Sequence, residues 1–179
     1  LFIDNRAAFG GAISISNNTA SMTEVNIENV SFVNNVAEAS DGNPGNFNEL
    51  GGAIFQFGPL GGGNRMVVRN ATFSGNKSIQ SGGAVFTEGE ISGGTEAIFS
   101  HCTFAFNESE RGAGLHNIRF TAVLLDRCLF GKNEGRVDQD IRGFVVSRGY
   151  NLVEVIGPNT QLVEDSTDLL SVESGVASL

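Results

Sequence analysis

The sequence predicts an all-β fold, a parallel β-helix solenoid of about four to five coils with three short strands per coil and corner loops. Two observations carry this prediction. A two-part motif, Gly-Gly-Ala-Ile and then Phe-x-x-Asn nineteen residues later, recurs along the chain, and the apolar residues within each repeat alternate with polar ones. A repeat this small cannot bury a core of its own, so it must stack on its neighbours.

The motif occurs in three full copies and one shortened copy. The full copies span 10–35, 51–76 and 82–107, and the shortened copy spans 112–133. The chain opens with Phe2 and Asn5, which are the second half of a further copy. Because the start also has no initiator Met and no signal-peptide pattern, we expect this chain to be a processed or excised piece of a longer polypeptide.

The alternation within each repeat has a period of two, which is typical of strands and not of helices. In the first full copy it reads Val25 and Ile27, then a two-residue break, then Val30 and Phe32. This pattern predicts two short strands joined by a bend. The Gly-Gly-Ala-Ile segment supplies the third strand, and we expect its inward residues to be Ile13, Ile54, Val85 and Leu115.

Stacked coils lie about 4.8 Å apart, which places equivalent residues directly above one another. We therefore expect two ladders along the axis. The interior ladder consists of Phe2, Phe32, Phe73, Phe104 and Phe130, and the ladder at a turn consists of Asn5, Asn35, Asn76, Asn107 and Asn133. Stacked Asn side chains can bond amide to amide, and Asn tolerates left-handed backbone at a corner. The glycine pair predicts a tight corner where larger side chains would collide.

Three segments rich in turn-forming residues interrupt the repeats, namely 40–46, 58–64 and 88–94. We expect them to be loops at the corners of the solenoid, where binding sites are commonly built. The repeat pattern predicts a β-helix domain over residues 1–156 with a truncated first coil. Residues 157–179 are acidic and rich in Ser and Thr, which predicts a tail or a loosely docked cap.

Composition excludes several classes of function. The net charge is -9 and the isoelectric point is near 4.6, so the chain has no basic surface for nucleic acid or anionic membranes. The longest apolar runs are too short to span a bilayer, and we expect no membrane insertion by this segment. With two Cys and two His in the chain, we expect neither a zinc site nor another cofactor.

The paired Gly-Gly-Ala-Ile and Phe-x-x-Asn motifs resemble the repeats of chlamydial polymorphic outer membrane proteins (Pmp). They are also similar to a broader group of secreted, repeat-built β-helix proteins. The resemblance covers about residues 1–156. It implies a right-handed parallel β-helix in a secreted or cell-surface protein, often an adhesive one.

The two cysteines, Cys102 and Cys128, each precede the Phe of their repeat by two residues. They should stack in adjacent coils, either as buried free thiols, which we favour, or as a disulfide, since the coil spacing falls within the permitted Cα range. His116 should point outward. Neither it nor His101 has the neighbouring nucleophile and carboxylate of a catalytic triad.

Asp138, Asp140 and Arg142 alternate along the chain, and carboxylate pairs on β-helices can cleave polysaccharides or bind calcium. The same residues fill the corner position of the repeat, so we interpret them as a solvated corner. We therefore predict no catalytic residue.

Three sequons are candidate glycosylation sites, headed by Asn17, Asn29 and Asn70. Two further sequons begin at ladder residues Asn76 and Asn107, and we expect those to be too enclosed for modification.

Together these features predict a non-enzymatic structural or adhesive module, secreted or at a cell surface, as a fragment of a larger repeat protein or a subunit of an assembly. The alternative is a carbohydrate-active enzyme of the polysaccharide lyase or glycoside hydrolase kind. Clustered Asp, Arg and Lys in a lateral cleft would favour the enzyme. Unpaired strands at the coil ends predict a protein partner or a flanking segment that covers them, and glycans are further candidate partners.

Overall fold

The computed structural model describes residues 1–17, 21–38, 49–58, 63–90, 94–119 and 121–175. These residues form strands and no helix, and their strand pairings are parallel. The chain winds as a solenoid whose coils are joined by backbone hydrogen bonds. The prediction of an all-β parallel β-helix is therefore confirmed.

The strands follow the chain in this order: β1 (Phe2–Ile3), β2 (Arg6–Ala7), β3 (Ile13–Ser16), β4 (Thr23–Val33), β5 (Val36–Ala37), β6 (Ile54–Gly58), β7 (Asn64–Ser74), β8 (Lys77–Ser78), β9 (Val85–Gly89), β10 (Thr95–Ser100), β11 (Thr103–Ala105), β12 (Glu108–Arg111), β13 (Leu115–Arg119), β14 (Thr121–Asp126), β15 (Leu129–Gly131), β16 (Glu134–Val137), β17 (Ile141–Ser147), β18 (Leu152–Val153), β19 (Thr160–Val163) and β20 (Leu169–Leu170).

Four strand positions recur around the coils, and each forms one face of the solenoid. The Gly face contains β3, β6, β9, β13 and the start of β17. The Val face contains β10, β14, β19, the first halves of β4 and β7 and the end of β17. The Phe face contains β1, the ends of β4 and β7, and β11, β15, β18 and β20. The short face contains β2, β5, β8, β12 and β16 and adds a fourth strand to the three that the sequence predicts.

The register places equivalent residues of successive coils over one another. On the Gly face the inward file runs through Ile13, Ile54, Val85, Leu115 and Ile141. On the Phe face the phenylalanine file continues into Val153 and Leu170. Strands therefore stack on both sides of residue 157, and the domain boundary there stays a prediction.

Each coil turns its corners on residues with left-handed backbone. At the bend between the Val face and the Phe face they are Asn29, Asn70, His101, Arg127 and Tyr150; before each ladder Asn they are Asp4, Asn34, Gly75, Phe106 and Lys132; at the start of the Gly face they are Gly10, Gly51, Gly82, Gly112 and Asp138. The left-handed residue at the Asn ladder is thus the one before the Asn. The second position of each glycine pair requires glycine because of close packing between coils. A Cβ at Gly52 would lie 1.9 Å from the carbonyl oxygen of Gly83.

The three predicted corner loops fall largely on residues outside the described part of the chain. This holds for the whole of 40–46, for 59–62 of the second loop and for 91–93 of the third. In the residues that the structure does describe, we find no helix with the length and apolar character needed to cross a membrane.

Candidate functional site

The predicted phenylalanines lie in one stacked file through the interior. The ring centroids of Phe2 and Phe32 are 5.0 Å apart, and the spacing falls to 4.4 Å between Phe104 and Phe130. Adjacent rings are within 7° of parallel. Four of the five rings are fully buried, so this file is the rigid centre of the fold.

The asparagine ladder is a directional chain of hydrogen bonds. The Nδ2 atom of Asn76 donates to Oδ1 of Asn107 at 2.9 Å and to the carbonyl oxygen of Phe32 at 3.0 Å. Its Oδ1 atom accepts from the backbone N–H and the Nδ2 of Asn35, at 3.0 and 2.8 Å. Each amide-to-amide bond of the ladder therefore runs in the same direction, from the Nδ2 atom of one coil to the Oδ1 atom of the next coil on the C-terminal side.

A carboxylate ends this ladder at its C-terminal side. Asn133 donates to the carbonyl oxygen of Phe104 at 2.9 Å and to Oδ1 of Asp140 at 2.8 Å. The other carboxylate oxygen of Asp140 accepts from the backbone N–H of Val155 at 2.8 Å. A carboxylate accepts hydrogen bonds but does not donate them, so the amide-to-amide pattern stops here. Burial raises the pKa of Asp140 above its usual value.

Both carboxylate oxygens of Asp138 also accept hydrogen bonds. Its Oδ2 accepts from Nη1 of Arg142 at 2.7 Å and from Nδ2 of Asn159 at 2.9 Å, and its Oδ1 accepts from the backbone N–H of Asn159. Both carboxylates are buried, so the interpretation of this corner as solvated is wrong. The C-terminal segment covers it. All four carboxylate oxygens serve structural hydrogen bonds, which leaves this pair unsuited to acid–base chemistry.

The two cysteines occupy neighbouring coils as buried free thiols. The Sγ atom of Cys102 lies 3.3 Å from the carbonyl oxygen of Ser100, and that of Cys128 lies 3.4 Å from the carbonyl oxygen of Phe99. Burial raises the pKa of the Cys128 thiol well above its usual value, which lowers its reactivity.

Of the three candidate glycosylation sites, two present their side chains to solvent. Asn29 and Asn70 lie at exposed corners, and Nδ2 of Asn70 donates to Oδ1 of Asn29 at 2.7 Å. Asn17 is buried, and its Nδ2 donates to the carbonyl oxygen of Ser21. A glycan needs an accessible side chain, so the exposed Asn29 and Asn70 are the sites to examine and the buried Asn17 is not.

A shallow groove of about 680 Å³ runs across the short face. We call it the short-face groove; its charged residues are Lys77, Glu108, Glu110, Glu134 and Arg136. Lys77 and Glu108 form an ion pair at 2.7 Å, and Arg136 and Glu110 form one at 3.7 Å. These side chains are a third to four-fifths exposed, so water reaches them. The groove is therefore suited to the recognition of charged groups, and its paired carboxylates, Glu108 and Glu110, are open to solvent.

Sequence reasoning missed a file of buried polar side chains where the Gly face meets the Val face. Gln56, Thr87 and Asn117 follow the inward file at an interval of two residues and are almost wholly buried. Oγ1 of Thr87 donates to Oδ1 of Asn117 at 3.1 Å, and Nε2 of Gln56 donates to the carbonyl oxygen of Glu96 at 3.0 Å. The available signal was a polar residue at an inward position of three consecutive repeats.

One comparison with known proteins gives a match. Residues 70–88 match the family model described as the Chlamydia polymorphic membrane protein (Chlamydia_PMP) repeat. This segment holds Phe73 and Asn76 of one motif and the Gly82–Val85 start of the next. The chain thus carries a repeat of the polymorphic membrane protein type, and the predicted resemblance is confirmed. No curated protein and no solved structure matches the chain.

Proposed function

We propose that this chain is a non-enzymatic structural or adhesive module, secreted or displayed at a cell surface, in which a rigid β-helix holds a binding surface at fixed geometry. The observation that carries the proposal is the pair of unbroken interior ladders. They fix the coil spacing and thereby the positions of outward side chains on every face.

The repeat match supports the surface location and the absence of catalysis. The matched model describes a repeat of a membrane protein and names no catalytic activity. The acidic character of the chain also suits a soluble surface exposed to the extracellular medium.

The short-face groove is the surface that we propose for a protein partner. Lys77, Glu108 and Glu134 lie in one row across three coils, because their strands pair in register. Glu134 makes no ion pair with any of the residues that the structure describes. A Lys or Arg of the partner would pair with Glu134 and relieve its repulsion from the adjacent Glu108.

The N-terminal face of the first coil is a second candidate for a partner. Asn5 donates to Oδ1 of Asn35 at 2.8 Å, but its own Oδ1 accepts no hydrogen bond from the described residues. Leu1, Ile3 and Met22 are exposed on the same coil. A coil with an Asn in the ladder position would supply the missing donor and cover the apolar side chains.

Two measurements test this proposal. Antibodies against the purified chain should label intact cells of the organism that produces it as strongly as permeabilised cells. Beads coated with the chain should bind cultured animal cells more than beads coated with a Glu134→Lys variant. Labelling of permeabilised cells alone would contradict surface display, and equal binding by both bead types would contradict a role for the groove.

The enzyme alternative has a direct test as well. The chain is incubated with acidic polysaccharides, and the release of reducing and unsaturated chain ends is measured. We expect none. Release that disappears in a Glu108→Gln variant would show that the short-face groove is catalytic and would overturn the proposal.

A further inference from the structure

A smaller pocket of about 330 Å³ opens where the Gly face meets the Val face near the C-terminal coils. We call it the Gly-face pocket. Its walls are His116 and Arg119 from β13, Arg142 and Phe144 from β17, and Gln161 from β19. Its residues come from three adjacent coils, so the coil stacking that fixes the ladders also fixes this pocket.

One wall of the pocket is an exposed aromatic ring. Phe144 is 45 % exposed, although most phenylalanines on the described strands are buried. The Nδ2 atom of Asn117 donates to the carbonyl oxygen of Phe144 at 2.6 Å and so fixes the strand below the ring. The neighbouring Gly143 has a φ of 99°, and a Cβ there would lie 1.9 Å from the carbonyl oxygen of Asn117. Residue 143 therefore places no side chain next to the Phe144 ring, and the exposed ring can contact a flat ligand.

The charges in the pocket are balanced. Nη1 of Arg142 donates to Asp138 at 2.7 Å, and Nη1 of Arg119 lies 2.9 Å from Oε1 of Glu88. Burial, with smaller contributions from nearby arginines, lowers the pKa of His116 to about 3, so its imidazole is neutral at physiological pH. An anionic ligand would find no net positive charge, because each arginine already has its carboxylate.

The pocket nevertheless has polar groups that need partners. The side chain of Gln161 is exposed and makes no hydrogen bond with the described residues. An apolar ligand would leave this amide and the remaining guanidinium N–H groups without partners, which is costly. A ligand with several hydroxyls can both donate to them and accept from them.

We propose that the Gly-face pocket binds one ring of a neutral carbohydrate. A pyranose has a face of C–H groups, which would lie on Phe144, and a rim of hydroxyls, which would meet Arg142 and Gln161. The proposal deepens the proposed function and rests on it for its biological meaning, because it names a ligand class for an adhesive module. The pocket chemistry is independent of the short-face groove.

Saturation-transfer NMR with the full chain tests this inference. The probes are neutral oligosaccharides ending in glucose, galactose, mannose or N-acetylglucosamine, together with sialylated and sulfated oligosaccharides. We expect transfer to the ring protons of at least one neutral probe and none to the anionic ones. Phe144→Ala should weaken binding about tenfold, since it removes the stacking surface, and Gln161→Ala should weaken it about threefold.

The matched control is Tyr150→Asn, which removes an exposed aromatic ring outside the pocket. Asn occupies the same corner position in two earlier coils, so this variant should fold and bind as the native chain does. Transfer to no neutral probe, transfer to anionic probes alone, or equal binding by folded Phe144→Ala would each overturn the inference. Any of these results would leave bead adhesion through the groove intact. Failed adhesion with intact sugar binding would instead contradict the proposed function.

Discussion

The two ends of the solenoid handle the same ladder in opposite ways. At the N-terminal coil, Asn5 donates from its backbone N–H and its Nδ2 to the next coil, and its own Oδ1 accepts no hydrogen bond from the residues that the structure describes. At the C-terminal side, Asp140 receives the last amide and binds the backbone of Val155 with its other oxygen. An Asn both donates and accepts and so continues the ladder, whereas an Asp can only accept and so stops it. Asp140 thus ends the amide ladder, while the strands of the Val face and the Phe face continue to stack beyond it.

The largest effect that we expect is a difference in stability loss between a substitution in the middle of the Phe ladder and one at its N-terminal end. Phe73→Ala leaves a cavity among buried rings on both sides and should lower the free energy of unfolding by about 3–5 kcal/mol. Phe2→Ala removes a half-buried ring with one stacked neighbour and should cost roughly a third as much. Urea unfolding of both variants measures the difference. Equal losses would show that the first coil is as well packed as the third.

Closing the open end should stabilise the chain. A second copy of residues 73–102 placed ahead of residue 1 keeps the Phe-to-Phe spacing of 31 residues and puts an Asn above Asn5. We expect the free energy of unfolding to rise by about 2–3 kcal/mol, because each added repeat contributes an interface with its neighbour. The same extension with Ala at the copied ladder position is the control and should gain less. An extension that leaves the free energy of unfolding unchanged would contradict an open N-terminal face.

Removing the carboxylate at the C-terminal end of the Asn ladder should change the free energy of unfolding somewhat less. Asp140→Ala removes the acceptor of Asn133 and of the Val155 N–H and should cost about 2 kcal/mol. Asn5→Ala, at the end where the ladder has one neighbour, should cost about 0.5–1 kcal/mol. Chemical denaturation of the two variants compares them. The reverse order would mean that Asp140 does not hold the C-terminal coils.

The smallest effect is a pH dependence at Asp140. Its folded pKa is raised, so between the ordinary carboxyl pKa of about 3.9 and that raised value the folded chain binds more protons than the unfolded chain. The contribution of Asp140 to stability therefore increases as the pH falls through the folded pKa. Asp140→Asn cannot titrate, so the native chain should gain stability relative to this variant on acidification. A difference that stays constant with pH would refute a raised pKa.

Much of the fold was predictable because the same sequence pattern recurs in every coil and adopts the same structure each time. Phe32, Phe73 and Phe104 share one environment, so a misreading of any single copy is corrected by the others. The ends lack this redundancy. Asp140 occurs once, and its buried place under Val155 depends on how the last strands fold back, which no spacing reveals. The buried Gln56, Thr87 and Asn117 were missed because the alternation rule treats polar residues as outward.

The sequence by itself determined the parallel β-helix class, the inward files and the two ladders of this protein, since period and motif spacing fix which residues stack, but it did not reveal the strands of the short face. Only the tertiary structure decided that Asp138 and Asp140 are buried, that Asn17 is enclosed and that Phe144 stands open beside His116. The physical reason is that stacking is a local rule between neighbouring coils. Burial at a corner depends instead on the distant segment that packs over it, such as the strands after residue 157.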